Sequence, residues 1–242
     1  MEEFKKNIGK FLPFLEDLRR RLFIGVILFA VFFVVGLLSA NVILKKIVGL
    51  FDINEVILVA SSPFQFIQIA MDLGFFLAIL VTAPYVVYSF YIFILPALTR
   101  GEKIQLLKSV PMSVFLFIFG FFYGFFVLYY ALGILASINT GLGIANFWNI
   151  SQFLSQILIT SVLLGLVFEF PLLLTLLIKL GVITSTTLKD HRRIAYCLLL
   201  LLTILLPPTD IVSLLGMVLP LLLLYEATIV LNTRKYGIRI RH

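Results

Sequence analysis

Charged positions cluster along this chain, and the intervals between the clusters are almost wholly apolar. A membrane-spanning helix needs about 20 consecutive, mostly apolar residues. Leu22–Leu44 carries no charge and is the first such span. Leu73–Thr99 is the second, with its helix entering near Ile67–Ala70. Ser109–Phe168 is uncharged over far more than one helix requires, so it holds two spans. The Asn-, Gly- and Ser-bearing stretch Ser137–Gln152 is the turn between them. That sets a third helix at about Val110–Leu135 and a fourth at about Phe153–Leu180. Ile194–Leu206 and Ile211–Leu231 flank Pro207-Pro208-Thr209-Asp210. The first of these two stretches has only 13 residues, too few to cross a bilayer of ordinary thickness. The pair is therefore either one broken helix or a hairpin of short helices that thins the membrane around it.

Composition removes the soluble alternatives. Of 242 residues, 62% are apolar or aromatic and 13% are charged, with 25 Phe, one Trp and one Cys. No soluble core of this length could cover so much apolar surface, which excludes a soluble globular domain, a disordered chain and a disulfide scaffold. The formal net charge of +7 has to be located before it means anything. With six spans, the basic residues of the leader, of Arg100–Lys108, of Lys179–Arg193 and of the C-terminal tail share one side. That is 17 of the 19, and only Lys45 and Lys46 lie opposite. The positive-inside rule makes the rich side cytoplasmic. Five spans would put the basic tail outside and spoil the asymmetry. The expected fold is thus an all-α integral membrane protein of six transmembrane helices with both termini cytoplasmic. It forms a single polytopic domain: a leader over 1–21, a bundle over 22–231 and a basic tail over 232–242. The leader is too long and charged for a cleavable signal. Phe4, Ile8, Phe11, Leu12 and Leu15 recur at helical spacing around Pro13. Glu3–Arg21 therefore reads as an amphipathic helix on the cytoplasmic surface or as a solvated charged segment.

Covalent chemistry has little to work with. His191 and His242 are the only histidines, both outside the expected bilayer, and Cys197 is alone. No G-x-S-x-G, Walker A, dinucleotide fingerprint or zinc-protease helix motif occurs. The expectation is a non-enzyme with no catalytic residues, no metal and no cofactor, whose energy comes from elsewhere.

The acidic residues are the informative minority. Ionisable groups at membrane depth are costly and mark function by default. Glu169 lies ten residues before Lys179, about 15 Å from the cytoplasmic end of the fourth helix. It must face protein or water, or be protonated. Pro171 loosens the backbone beside it. Glu226 is near enough to a helix end to snorkel, and Asp72 is near the outer start of the second helix. On the basic face, Glu16 and Asp17 precede Arg19-Arg20-Arg21, and Glu102 follows Pro96-Ala97-Leu98-Thr99-Arg100-Gly101. These carboxylates either pair with their own arginines or form a site for a cationic ligand.

Several of these segments coincide with one family. Phe14-Leu15-Glu16-Asp17-Leu18-Arg19-Arg20-Arg21-Leu22 resembles the H-L-x-E-L-R-x-R-L start of TatC, the polytopic core subunit of the twin-arginine protein translocase. Ser62-Pro63-Phe64 is similar to the S-P-F before its second helix. Phe93-Ile94-Leu95-Pro96-Ala97-Leu98 with Glu102 resembles its F-x-x-P-A-L-x-x-x-E loop. Phe168-Glu169-Phe170-Pro171 resembles its F-E-x-P. Leu206-Pro207-Pro208-Thr209-Asp210 resembles its T-P-P-D turn, and Pro220 and Glu226 are similar to residues of its last helix. The matches run in order over nearly the whole chain. Phe14 replaces the usual His and Asp17 the usual Glu. Either Thr209 or Asp210 occupies the family's Asp position, and the Pro after the first helix is absent.

The resemblance implies a receptor in the cytoplasmic membrane of a prokaryote for folded precursors that carry an Arg-Arg signal peptide. It implies assembly with single-span TatA- and TatB-type subunits into an oligomeric complex, driven by the proton-motive force and without nucleic acid. The expected signal-peptide site is Glu102 with Asp17 beside it, Arg19 holding Asp17, and Phe93, Pro96 and Leu98 shaping the loop. Glu169, Pro171, Asp210 and Glu226 are the expected intramembrane and partner-contacting residues, with a concave pocket around Glu169. The rival class is a proton-coupled small-solute transporter using Glu169 and Asp72. Against it, no internal repeat pairs the Glu169–Pro171 break with a counterpart in the first three helices.

Overall fold

The structure, a computed structural model, describes the chain over residues 2–50, 56–95, 100–207 and 210–236. Side chains are described throughout these ranges except at 2–15, 100–102, 104–106, 108 and 234–236. Nine helices are seen among the described residues: α1 (Glu2–Leu38), α2 (Ala40–Leu50), α3 (Gln65–Ile94), α4 (Arg100–Gly141), α5 (Ile150–Val167), α6 (Phe170–Lys179), α7 (Ser185–Asp190), α8 (Arg192–Ile204) and α9 (Ile211–Tyr236). Five stretches are long and apolar enough to cross a membrane: Glu16–Leu38, Gln65–Ile94, Ser109–Gly141, Ile150–Lys179 and Ile211–Thr233. The 13-residue α8 is about 20 Å long, against a hydrocarbon core of about 30 Å.

Arg192 at the start of α8 bonds Glu226 near the end of α9. The two helices are therefore an antiparallel hairpin, which removes the alternative of one broken helix.

Local chemistry sets the helix ends. The expected first span, Leu22–Leu44, breaks at Ser39: its hydroxyl donates to the Val35 carbonyl, and α2 restarts with Val42 N–H on the Ser39 carbonyl at 3.0 Å. The leader is helical, and α1 runs unbroken from Glu2 through Pro13 into the span. The expected long turn over Ser137–Gln152 shrinks to residues 142–145 between α4 and a strand. α5 and α6 part at Phe168–Glu169. Pro171 has no N–H to give the Val167 carbonyl, and Glu169 N–H bonds the Leu166 carbonyl in a tighter turn at 3.1 Å.

The all-α expectation needs one amendment. β1 (Val56–Val59) and β2 (Asn146–Asn149) pair in parallel, Val56 opposite Asn146 and Val59 opposite Asn149. Parallel strands far apart in sequence leave no local period to read. They cap one end of the bundle. Asn149 accepts from the Ser151 and Gln152 N–H groups at the start of α5 and from Gln65 Nε2, and donates to Ser61 Oγ at 2.7 Å.

Helices approach closely where side chains are small. A Cβ on Gly36 of α1 would lie 2.7 Å from the Gly74 Cα of α3, and one on Gly120 of α4 would lie 2.6 Å from the Phe168 ring. The core, with Leu73, Phe117, Leu128, Ile157, Leu164, Phe168 and Met217 fully buried, lies where α3, α4, α5 and α9 meet.

Candidate functional site

The polar groups of the bundle fall at three levels. At the basic end, α1 carries Glu16 and Asp17 just before its apolar stretch. Arg21 Nε donates to Asp17 Oδ2 at 2.8 Å, with side-chain exposures of 22% for Arg21 and 46% for Asp17. This corrects the expectation that Arg19 holds Asp17. Residues two apart on a helix point to different sides, whereas i and i+4 share a face, so Arg19 and Arg20 are left exposed to solvent or headgroups. Tyr85 of α3 donates to the Arg21 carbonyl at 3.3 Å and ties the two helices together.

Phe93, half-buried near the end of α3, lines an apolar groove of about 370 Å³ between α1 and α3, and Arg21 lines the same groove. Glu102 is in the first turn of α4, where the helix N-terminus favours negative charge; its side chain lies outside the described residues. Pro96 and Leu98 lie outside them entirely. Of the expected signal-peptide residues, Asp17 and Phe93 are thus joined through Arg21.

At the middle level, Glu169 is held at the α5–α6 break, half-buried. Ser113 Oγ of α4, fully buried, donates to Glu169 Oε2 at 2.7 Å, and Tyr91 of α3 lines a depression beside the same carboxyl group. Glu169 Oε1 is buried with no partner among the described residues, so part of the carboxyl group's bonding capacity is unused. Glu169 lies on the wall of two depressions. One, of about 220 Å³, faces Val86, Phe90 and Tyr91 of α3. The other, of about 640 Å³, runs between α5–α6 and α8 and is otherwise almost entirely apolar. Pro171 lies in the first turn of α6, and its carbonyl accepts from Thr175, which in turn accepts from Asn232 of α9 at 2.9 Å.

Glu226 and Asp210 sit apart from Glu169. Glu226 accepts from Arg192 Nη2 at 2.8 Å and from the Tyr196 hydroxyl, and locks the α8–α9 hairpin at its basic end. Asp210 caps α9: its Oδ1 accepts from Ser213 N–H at 2.8 Å while Oδ2 is buried without a partner among the described residues. It faces a depression of about 670 Å³ at the capped end, beside Asn139, Gln152 and Gln156. Asp72 accepts from Ser155 Oγ at 2.5 Å and links α3 to α5. Among the described residues no cluster of three His, Cys, Asp or Glu could hold a metal ion.

Sequence reasoning passed over Ser113, Tyr91 and Arg192. Ser113 could have been found as a lone hydroxyl two residues after Pro111 in an apolar run. The partnership with Glu169, 56 positions away, has no local signal.

A family model described as TatC, Sec-independent protein translocase protein, matches residues 13–220. The protein TatCy of Bacillus subtilis (strain 168), also described as a Sec-independent protein translocase protein, is 27% identical over 98% of this chain and 93% of its own length. The TatC of Aquifex aeolicus (strain VF5) is 31% identical over 91% of this chain and 95% of its own. A crystal structure of the twin-arginine translocase receptor TatC superposes with a TM-score of 0.75 at 31% identity, covering 91% of this chain and 98% of that one.

Proposed function

Because the chain belongs to the TatC family of Sec-independent protein translocase proteins, we propose that its basic end is the docking site for the Arg-Arg signal peptide of folded precursor proteins. The family is a membrane-spanning component of the prokaryotic Tat translocase and not a family of catalysts. The carrying observation is the pair Asp17–Arg21 at the mouth of the groove that Phe93 lines. Glu102 lies in the first turn of α4, a few positions after Pro96 and Leu98 in the sequence. Two adjacent guanidinium groups each present a planar fork of donors that a carboxylate accepts in bidentate fashion. Carboxylates beside low-dielectric lipid attract them more strongly than in open water. Arg21 occupies one oxygen of Asp17 and keeps it aimed. One incoming arginine displaces Arg21 and takes both oxygens of Asp17, while Glu102 takes the second. Lysine, a point donor on a flexible stem, does not reproduce this fit.

The same reading gives six spans with both termini in the cytoplasmic membrane's inner side. It rests on the 17 basic residues that six spans assign to one side and on the α8–α9 hairpin, whose short helix thins the bilayer next to Glu169. Glu169, with one oxygen unused inside an apolar groove, is the point at which a polar residue of a TatA- or TatB-type single-span subunit, or of the inserted signal, would be recognised. Transport then draws on the proton-motive force.

The test is binding of a twin-arginine signal peptide to the purified full-length chain. Binding should fall at least tenfold on Arg→Lys substitution in the peptide, and likewise in the double variant Asp17→Asn, Glu102→Gln. Equal binding by that variant would place the receptor site elsewhere.

A further inference from the structure

We infer that the groove between α1 and α3 is the seat of the signal peptide's apolar segment, which lies there as a helix and hydrogen-bonds through small polar residues to Thr82 and Ser89. This rests on the signal-peptide reading above and adds where the rest of the peptide goes and what it must contain. The groove starts at Arg21 and Phe93, beside Asp17, and runs between Leu22, Gly25 and Val26 of α1 and Thr82, Val86 and Ser89 of α3.

Three observations carry the inference. First, the α1 residues recur at helical three- and four-residue spacing and so do the α3 residues, giving two parallel ridges with glycine at the centre of one. A third apolar helix can press a stripe of side chains into such a trough. The volume of about 370 Å³ suits a few aliphatic side chains, not a whole helix. Second, the rim is exposed: Leu22, Val26, Val86 and Phe90 are 46–65% exposed among the described residues. Third, two hydroxyls lie just beneath the apolar floor. Thr82 and Ser89 are each only 8% exposed, and their hydroxyls have no hydrogen-bond partner among the described residues. A buried hydroxyl left unmade in an apolar setting is costly.

A lipid acyl chain would fill the trough and leave both hydroxyls unpaired. A helix carrying Ser, Thr, Asn or Gln at matching height would pair them. The two hydroxyls are seven residues apart, about 10.5 Å along α3. The occupant is therefore an apolar helix with two small polar residues seven positions apart on one face. The charge at the mouth sets its direction: arginines at Asp17, apolar segment leading towards the β1–β2 cap.

The experiment uses the full-length chain in lipid nanodiscs and two synthetic peptides, both beginning with Arg-Arg. One carries Ser at two positions seven apart in its apolar segment, the other Leu at both, and each has a benzophenone side chain in that segment. Irradiation should attach the first peptide to residues within 22–29 of α1 and 82–93 of α3. Gly25→Leu fills the trough and should weaken its binding at least tenfold. A Cβ at Gly25 meets only the Tyr85 ring, at an ordinary contact distance of 3.7 Å, and unchanged unfolding of this variant in dodecyl sulfate confirms that it folds. Gly133→Leu, at a position open on all sides, should leave binding unchanged. Thr82→Val and Ser89→Ala should each weaken the Ser-bearing peptide about threefold and leave the Leu peptide unaffected.

Arginine-dependent binding with cross-links confined to the α5–α8 groove overturns the inference and leaves the receptor reading standing. So does arginine-dependent binding indifferent to Gly25→Leu. A photoreactive lipid that labels the trough equally with and without saturating peptide also overturns it. Loss of arginine dependence in the unmodified protein sinks the receptor reading itself.

Discussion

Replacing Ser113 with Ala removes the one hydrogen bond that the described structure offers Glu169. The serine hydroxyl donates to Oε2 at 2.7 Å, and Oε1 has no partner among the described residues. Removing the donor thus leaves the carboxyl group without a described partner. The size of the loss depends on charge. Hydrogen bonds to ionised groups contribute about 1.5–3 kcal/mol, whereas neutral side-chain bonds within membrane bundles average about 0.6 kcal/mol. Ser113 is also fully buried, so the single variant mixes the lost bond with a change in packing. A double-mutant cycle separates them, because the packing change occurs in both backgrounds and cancels. The four proteins are wild type, Ser113→Ala, Glu169→Ala and the double variant. Unfolding is followed by circular dichroism during transfer from mild micelles into dodecyl sulfate. A coupling of about 1.5–3 kcal/mol is expected for an ionised Glu169, and about 0.6 kcal/mol for a neutral one. Export measured at matched expression should fail for Glu169→Ala and be only reduced for Ser113→Ala, which keeps the carboxyl group. A coupling of zero within error would falsify the assignment of Ser113 as the positioning donor. Export unaffected by Glu169→Ala would remove Glu169 from function.

Gly36→Leu drives a side chain into the Gly74 backbone, which a Cβ alone approaches to 2.7 Å. It should cost about 1–3 kcal/mol in the same unfolding assay, against no measurable loss for Gly133→Leu. Asp210→Ala removes the N-cap of α9 and should cost about 1 kcal/mol, while Asp210→Asn, an equally good cap, should cost a few tenths at most. The Arg192–Glu226 pair is 42% and 33% exposed. The coupling between Arg192→Met and Glu226→Gln should therefore stay below about 1 kcal/mol, and a larger value would mean the pair is buried in lipid.

The long apolar runs, the basic asymmetry and the isolated acids could all be read directly. A bilayer imposes its length and charge rules on each segment separately, so hydropathy and Lys/Arg position add along the chain without reference to a partner. Asp17, Glu102 and Glu169 stood out for the same reason: each is a charge where its neighbours are basic or apolar. Helix ends were less legible. The breaks at Ser39 and at Phe168–Glu169 follow from a hydroxyl competing for a carbonyl and from a proline without an N–H. Both act within one helical turn, yet apolarity continues unbroken across them.

Pairing was decided by tertiary structure alone. Nothing within a few residues of Glu169 points to Ser113, nor of Gln65 to Asn149, nor of Val56 to Asn146, because each contact joins positions more than fifty apart. Even the local pair Asp17–Arg21 needed the helical face to choose Arg21 over the adjacent Arg19 and Arg20. The sequence by itself determined what each segment must avoid, water for the apolar runs and lipid for the charges. Which groups then satisfy one another is a property of packed helices, since a hydrogen bond exists only where two backbones bring donor and acceptor within about 3 Å.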